Sequence, residues 1–281
     1  MPRKPGSGSV AGCARAALAA LGLGVLVLTP VLEARASAAR KVARGEPRVG
    51  QAFHWSGRLA AGRTLEVKGI NGQIRAELAS GEEAEVDARR TARRSDPNQV
   101  MIEVVENGNG MTVCARYPKP GGGLNDCDHP QRVRDNDVRV DFVVRVPAGV
   151  RLVAETVNGG IEAETLQGEI SATTVNGSVR IATNRAAEAT TVNGSITARL
   201  ESDHGSDELH LETVNGFIRL ELPPDFGADV SAQTVNGEIV TDFPMQVTGL
   251  LNRHRLEGTI GAGGRRVRLK TENGSIYLRR I

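Results

Sequence analysis

One four-residue phrase constrains this chain more than anything else in it. Thr-Val-Asn-Gly occurs at Thr156–Gly159, Thr174–Gly177, Thr191–Gly194, Thr213–Gly216 and Thr234–Gly237. A variant, Thr-Glu-Asn-Gly, stands at Thr271–Gly274, and an earlier relative, Gly-Ile-Asn-Gly, at Gly69–Gly72. After each Gly come one variable residue and then Ile or Val: Ile74, Ile161, Val179, Ile196, Ile218, Ile239 and Ile276. From Asn158 the following asparagines lie 18, 17, 22 and 21 residues on, and the last interval is 37. Leu256–Ile260 falls midway in that long step, with Glu257 where Asn would stand. The expected unit is therefore about 20 residues, repeated about seven times, and repetition at such a period is the mark of stacked architectures.

Within the unit, apolar and small residues alternate as in a strand. The parity slips by one at Thr165/Leu166 and at Thr174/Val175, and such a slip turns the side chains over unless the backbone bends there. Length varies only in one half of the unit, at Glu201–Thr213 and Pro223–Thr234, as when loops leave stacked coils from one side. The pattern predicts an all-β β-solenoid of about seven coils with Asn-Gly corners. These are Asn71-Gly72, Asn158-Gly159, Asn176-Gly177, Asn193-Gly194, Asn215-Gly216, Asn236-Gly237 and Asn273-Gly274. Gly is expected to supply positive φ at the corner, Thr and Asn to bond along the ladder, and Val and Ile to fill the interior. Asn-Gly between alternating strands is also a strong hairpin signal, so an antiparallel β-sandwich or meander stands as the alternative.

Residues 1–38 read as a secretory signal peptide. Arg3, Lys4 and Arg15 precede or border the apolar run Ala16–Leu28, and Ala36-Ser37-Ala38 offers small residues for cleavage between Ala38 and Ala39. The run is shorter than the roughly 20 residues a membrane span needs, so no transmembrane span is expected after the signal is removed. Removal takes four of the 35 basic residues and one of the 33 acidic ones, leaving 31 and 32. A net charge near −1 gives no footing for nucleic acid. Residues 39–52 read as a flexible leader and 53–281 as a single repetitive β domain, with 53–150 capping the coils of 151–281. In the cap, Asn107-Gly108-Asn109-Gly110 reads as a true hairpin turn. Of three cysteines, Cys13 leaves with the signal, and Cys114 and Cys127 are expected to form a disulfide in an exported protein.

Chemistry-bearing motifs are scarce: there is no nucleophile elbow, zinc-binding helix or phosphate loop. Asp126-Cys127-Asp128-His129, and Asp203-His204 with Asp207, Glu208 and His210, mix His with carboxylates as metal sites do, but read more simply as solvated loops. No metal, cofactor or catalytic residue is expected. Asn176, Asn193 and Asn273 match the N-glycosylation acceptor incidentally. Arg89-Arg90, Arg93-Arg94, Arg253, Arg255, Arg265-Arg266, Arg268 and Arg279-Arg280 are basic runs that either solvate strand edges or form an anion-facing patch. Glu162, Glu164 and Glu169 are the carboxylates a carbohydrate-active enzyme on such a fold would use. Specific binding is expected on the variable loops, around Glu201–Thr213, Pro223–Thr234 and Pro244–Arg255.

Phe53-His-Trp55-Ser-Gly57, Ile70-Asn-Gly72-x-Ile74, Val140-Asp-Phe142 through Pro147-x-Gly149 and the serial Thr-Val-Asn-Gly-x-Ile resemble the bacterial putative-adhesin family over about residues 53–281. That resemblance implies a repetitive β-solenoid, an envelope or extracellular setting and a domain of unknown function, with no inherited binding residues. The expected role is a non-enzymatic exported cell-envelope protein, an adhesin-like or scaffold module. Its partner would be an envelope polysaccharide or another envelope protein; a carbohydrate-active enzyme is the alternative.

Overall fold

The alternating segments pair into two eleven-stranded sheets, mostly parallel, whose inward faces share one core. The computed structural model describes residues 46–127, 133, 135–201, 208–247 and 252–281. The signal segment, with Ala38 and Ala39, lies outside the described residues, as do 39–45 of the leader. Gly45–Ile281 groups as one compact unit. Pro97–Gln99 is the only helical turn among the described residues.

Each unit contributes one strand to each sheet. Ile170–Asn176 lies in the second sheet, the chain turns at Gly177, Val179–Thr183 lies in the first, and the loop side returns it to Ala187–Asn193 in the second. Neighbouring units are parallel and in register: Ile161 pairs with Val179, Val179 with Ile196, Ile196 with Ile218, and Asn193 with Asn176 on one side and Asn215 on the other. Antiparallel pairing, which the meander requires, is confined to the two ends. Ile161, Val179, Ile196, Ile218 and Ile276 from one sheet and Leu152, Ile170, Leu209, Leu211 and Leu269 from the other are buried between them. Alanines such as Ala172, Ala189 and Ala198 are buried among these larger side chains, which suits a thin interior with few aromatics.

The phrase resolves residue by residue. Its Thr points inward: Thr174, Thr191, Thr213, Thr234 and Thr271 are 1–2% exposed. Each hydroxyl donates to the carbonyl of the neighbouring unit's corner glycine, as Thr174 to Gly159 at 2.8 Å and Thr191 to Gly177 at 2.9 Å. Its Asn lies along the stack, and each side-chain amide donates to the next carbonyl oxygen. The six bonds of 2.8–2.9 Å run Asn158 to Asn71, Asn176 to Asn158, Asn193 to Asn176, Asn215 to Asn193, Asn273 to Asn215 and Asn236 to Asn273.

Two expectations fail at the same place. The Val of the phrase does not fill the interior: Val175 and Val192 are 37% exposed and Val235 is 58% exposed. The strand alternates, and once Thr takes the inward position its neighbour must face out. Nor does the corner glycine serve chiefly to supply positive φ, since of the seven only Gly72 lies in the left-handed region, at φ 131°. A Cβ on Gly159, Gly177, Gly194, Gly216, Gly237 or Gly274 would stand 1.8–2.1 Å from the carbonyl oxygen of the adjacent corner glycine. Glycine is needed there because one backbone rides on the next. The slip at Thr165, by contrast, is a backbone event, with Thr165 at φ 55° and the pairing register shifting between Ala163 and Leu166.

The order of units also departs from the sequence. Leu256–Ile260 is not a parallel unit with Glu257 at its corner; it runs antiparallel to Ala228–Gln233, with Val230 opposite Gly258. The chain then returns so that Arg265–Asn273 lies between Leu209–Asn215 and Ala228–Asn236. Ala228–Asn236 and Arg265–Asn273 are both nine residues long, and they pair along their full length. A 37-residue interval is therefore an excursion and an insertion, not two steps.

At the other end, the strands Thr64–Lys68 and Ile74–Leu78 flank Asn71 and pair with the Asn158 unit, so stacking begins well before residue 150. Gly110–Arg116 and Arg139–Val146 add one further parallel layer. The sequence between those two strands contains no Asn-Gly. A loop held by the Cys114–Cys127 disulfide replaces it, and the buried Tyr117 hydroxyl lies 3.3 Å from the Val138 carbonyl and 3.4 Å from that of Asn71. Burial pushes that phenol's pKa well above its ordinary value, beyond any physiological titration. Antiparallel strands close this end, among them the Met101–Asn107 and Gly110–Arg116 hairpin, which turns at Asn107-Gly108-Asn109-Gly110.

Candidate functional site

Because each unit repeats the same geometry, equivalent outward positions line up into columns about 4.8 Å apart from unit to unit. The residue after each corner glycine forms one such column on the first sheet: Gln73, Gly160, Ser178, Ser195, Phe217, Ser275 and Glu238. The three members between Gln73 and Phe217 are small, and a groove of about 280 Å³ opens there. The next outward column forms the wall. There Glu162 takes Arg75 on one oxygen at 2.9 Å and Arg180 on the other at 3.1 Å. The Ser178 hydroxyl accepts the Ser195 amide at 3.3 Å and that of Ser195 accepts the Phe217 amide at 3.2 Å. Each O–H is thereby left to donate outward.

An aromatic cluster closes the far end. Phe217, 40% exposed, meets Tyr277 edge-on with centroids 6.4 Å apart. The guanidinium of Arg219 lies 5.9 Å from the Tyr277 centroid and that of Arg279 lies 5.3 Å from it, within cation–π range. Arg279 is also paired with Asp242 at 2.7 Å. Arg219 has no carboxylate partner among the described residues. In a chain with 3% aromatic residues, an exposed phenylalanine ring against a half-buried tyrosine set among arginines is a concentration of recognition chemistry.

Other hollows carry less. One of about 130 Å³ lies beside the disulfide, against Ile70, Ala115, Val157 and Val175. Another, of about 710 Å³, opens on the loop side near Leu59–Ala61, Leu78–Glu82 and Pro147, with Arg58, Ser80, Glu82 and Gln167 in its lining. Sequence reasoning placed specific binding on the loops, yet the best-furnished groove runs beside the Asn-Gly edge. The loop residues 202–207 and 248–251 lie outside the described residues.

The three candidate carboxylates do not form one site. Glu162 and Glu164 face outward on the same strand of the first sheet, whereas Glu169 borders the second sheet, 4.0 Å from Arg151. Two carboxyls in a glycosidase stand about 5–9.5 Å apart across a sugar, and Glu162 is already held by two guanidiniums. In the acidic-histidine stretches, Asp128, His129, Asp203, His204 and Asp207 lie outside the described residues. Glu208 pairs with Arg268 at 2.7 Å, and Glu212 takes Lys270 at 2.6 Å and His210 at 3.5 Å. The hydrogen bond from Lys270 holds the Glu212 carboxyl below the usual range. Among the described residues, Glu103 with Cys114 and Cys127 is the one cluster of metal-ligating atoms, and sulfurs joined in a disulfide are not thiolate ligands.

Several arginines of the basic runs are engaged within the fold. Arg90 bonds the carbonyls of Val100 and Gln51, Arg255 pairs with Glu257, Arg268 with Glu208 and Arg279 with Asp242. Asn176, Asn193 and Asn273 each commit the side-chain amide to the ladder, so a glycan there would break it.

No helix among the described residues is long and apolar enough to cross a membrane. Residues 173–279 match the family model described as Toastrack DUF4097, and the resemblance to the putative-adhesin family read from the repeats holds. No curated protein matches the chain. Among solved structures, a putative cell adhesion protein from Clostridium sporogenes is 11% identical, with a TM-score of 0.47, covering 82% of this chain and 100% of its own. A putative adhesin from Bacteroides fragilis is 9% identical, TM-score 0.36, with 82% and 97% covered. A putative lipid binding protein from Parabacteroides distasonis is 10% identical, TM-score 0.24, with 83% and 97% covered.

Proposed function

We propose that this chain, whose repeats carry the Toastrack DUF4097 match, is a non-enzymatic exported envelope protein: a β-solenoid of about seven coils turning at Asn-Gly corners and serving as an adhesin-like binding module. The observation that carries the reading is the division of labour across the edge. Thr, Asn and Gly satisfy one another along the stack, so the residue after each corner can vary, from Gln73 through Gly160 to Phe217. A rigid scaffold with variable outward positions is what a recognition surface needs. Export draws its support from the signal pattern of residues 1–38 and from the disulfide, which persists in oxidising compartments.

Two experiments test this. Intact-mass analysis of the protein recovered after secretion should give an N-terminus near Ala39 and no free thiol; retention of residues 1–38, or two thiols alkylated without reductant, contradicts export. A glycan array run beside a polysaccharide-cleavage screen should give binding without turnover, and reproducible cleavage would overturn the non-enzymatic reading.

A further inference from the structure

We propose that the groove from Gln73 to Phe217 is a subsite for an acidic polysaccharide, a strand of carboxylate-bearing sugar units lying along the stacking axis. This rests on the binding role proposed above and names its ligand class.

Four features point the same way. First, the groove is linear and periodic. Gln73 and Phe217 stand four units apart, roughly 19 Å at the spacing of neighbouring strands. One rung is comparable in length to one sugar unit, so a repeating polymer meets equivalent positions in succession. Second, its charge is unbalanced. The lining holds Arg75 and Arg180 against the single carboxylate of Glu162, and Arg219 stands just past Phe217 with no carboxylate partner among the described residues. A guanidinium has five donors in a planar fork suited to carboxylates. Arg75 and Arg180 each spend one N–H on Glu162. Third, the Ser178 and Ser195 hydroxyls are fixed by the amides they accept, and their O–H groups suit ring oxygens and hydroxyls. Fourth, Phe217 offers an exposed ring for the C–H side of a sugar at the end where Arg219 and Arg279 stand over Tyr277. The opposite sheet also has a hollow, of about 380 Å³, but its lining sets the carboxylates of Glu169, Glu188 and Glu208 against Arg151 and Arg268, and there Glu208 is matched by Arg268 and Glu212 by Lys270.

The test is calorimetric titration of the secreted protein with oligomannuronate and oligogalacturonate hexamers. The carboxyl-reduced forms of the same hexamers serve as neutral partners. At least one acidic hexamer should bind, its reduced form should bind about tenfold more weakly or worse, and raised salt should weaken the acidic one because exposed charges are screened. Arg219→Gln and Phe217→Ala should each weaken binding about tenfold, the scale of a lost charge-assisted hydrogen bond or stacking contact. Both side chains are exposed, so the melting temperature should hold. Arg268→Gln, on the opposite sheet, should leave binding unchanged. The proposal is overturned if neither acidic hexamer binds, if reduced and acidic forms bind alike, or if Arg268→Gln matters as much as the groove variants. Array binding to a different glycan or to a protein, with no response to Arg219→Gln or Phe217→Ala, would sink this subsite while leaving the binding role standing.

Discussion

The chain passes from the second sheet to the first on the same side of the molecule in two different ways. Between Ile170–Asn176 and Val179–Thr183 the passage takes two residues and repeats. Between Gly110–Arg116 and Arg139–Val146 it takes more than twenty, once. The short passage is held by neighbours above and below: Thr hydroxyl to Gly carbonyl, Asn amide to Asn carbonyl, and Gly amide to the next unit's Asn carbonyl, as Gly194 to Asn215 at 3.0 Å. The described part of the long passage is held by Cys114–Cys127, by Tyr117 and by Asp137. The Asp137 carboxylate accepts the amides of Ser95, Arg93 and Arg94, and these bonds, that of Ser95 foremost, hold it below the usual carboxylate range. A repeated turn borrows its order from the stack, while a terminal one needs covalent and buried polar ties of its own.

Breaking the short passage should cost most. In Gly194→Ala the new Cβ would stand 2.0 Å from the Gly177 carbonyl oxygen, and both backbones are held by paired strands on either side. Overpacking of this kind is expected to cost more than about 3 kcal/mol, lowering the melting temperature by roughly 10 °C or preventing folding. Circular dichroism melts read the outcome, and a variant melting within about 2 °C of the parent would show that the strands separate easily.

Removing the tie of the long passage should come second. Replacing Cys114 and Cys127 together with Ala opens a loop of sequence separation 13, for which loop closure contributes about 3 kcal/mol. The damage should be local: urea unfolding should show the amides of residues 110–127 losing protection before those of the repeats. Single ladder bonds come last. Thr191→Val and Asn193→Ala should each cost about 1 kcal/mol, with Thr191→Val the larger because its hydroxyl is buried and leaves the Gly177 carbonyl short of a partner.

The short passage was legible in the sequence because its cause is local and recurs. The spacing from Gly to Ile and the fixed phrase already implied parallel units in register, and the parity slip at Thr165/Leu166 marked a true irregularity of the backbone. Three things were not legible. The outward turn of Val175, Val192 and Val235 follows from Thr occupying the core, and hydrophobicity alone ranks the two residues the other way. The placing of Arg265–Asn273 between two earlier strands is a long-range choice that no local spacing records. The groove depends on which small residues happen to stack, Gly160 under Ser178 under Ser195, and that appears only once the register is known. The equivalence of those positions was present in the sequence: each is the variable residue after Asn-Gly, and Phe217 is the one large ring among them.

Native-state hydrogen exchange on the unmodified protein tests the central claim, that the Asn-Gly edge is the spine of the fold and the disulfide loop an attachment to its end. The amides of Gly177, Gly194 and Gly216, which bond the next unit's Asn carbonyls at 3.0–3.1 Å, should exchange only with global unfolding. The Gly122 and Asn125 amides, bonded within the loop at 3.1 and 2.9 Å, should exchange faster through local opening. Exchange of the corner-glycine amides as fast as that of the loop amides would contradict the account.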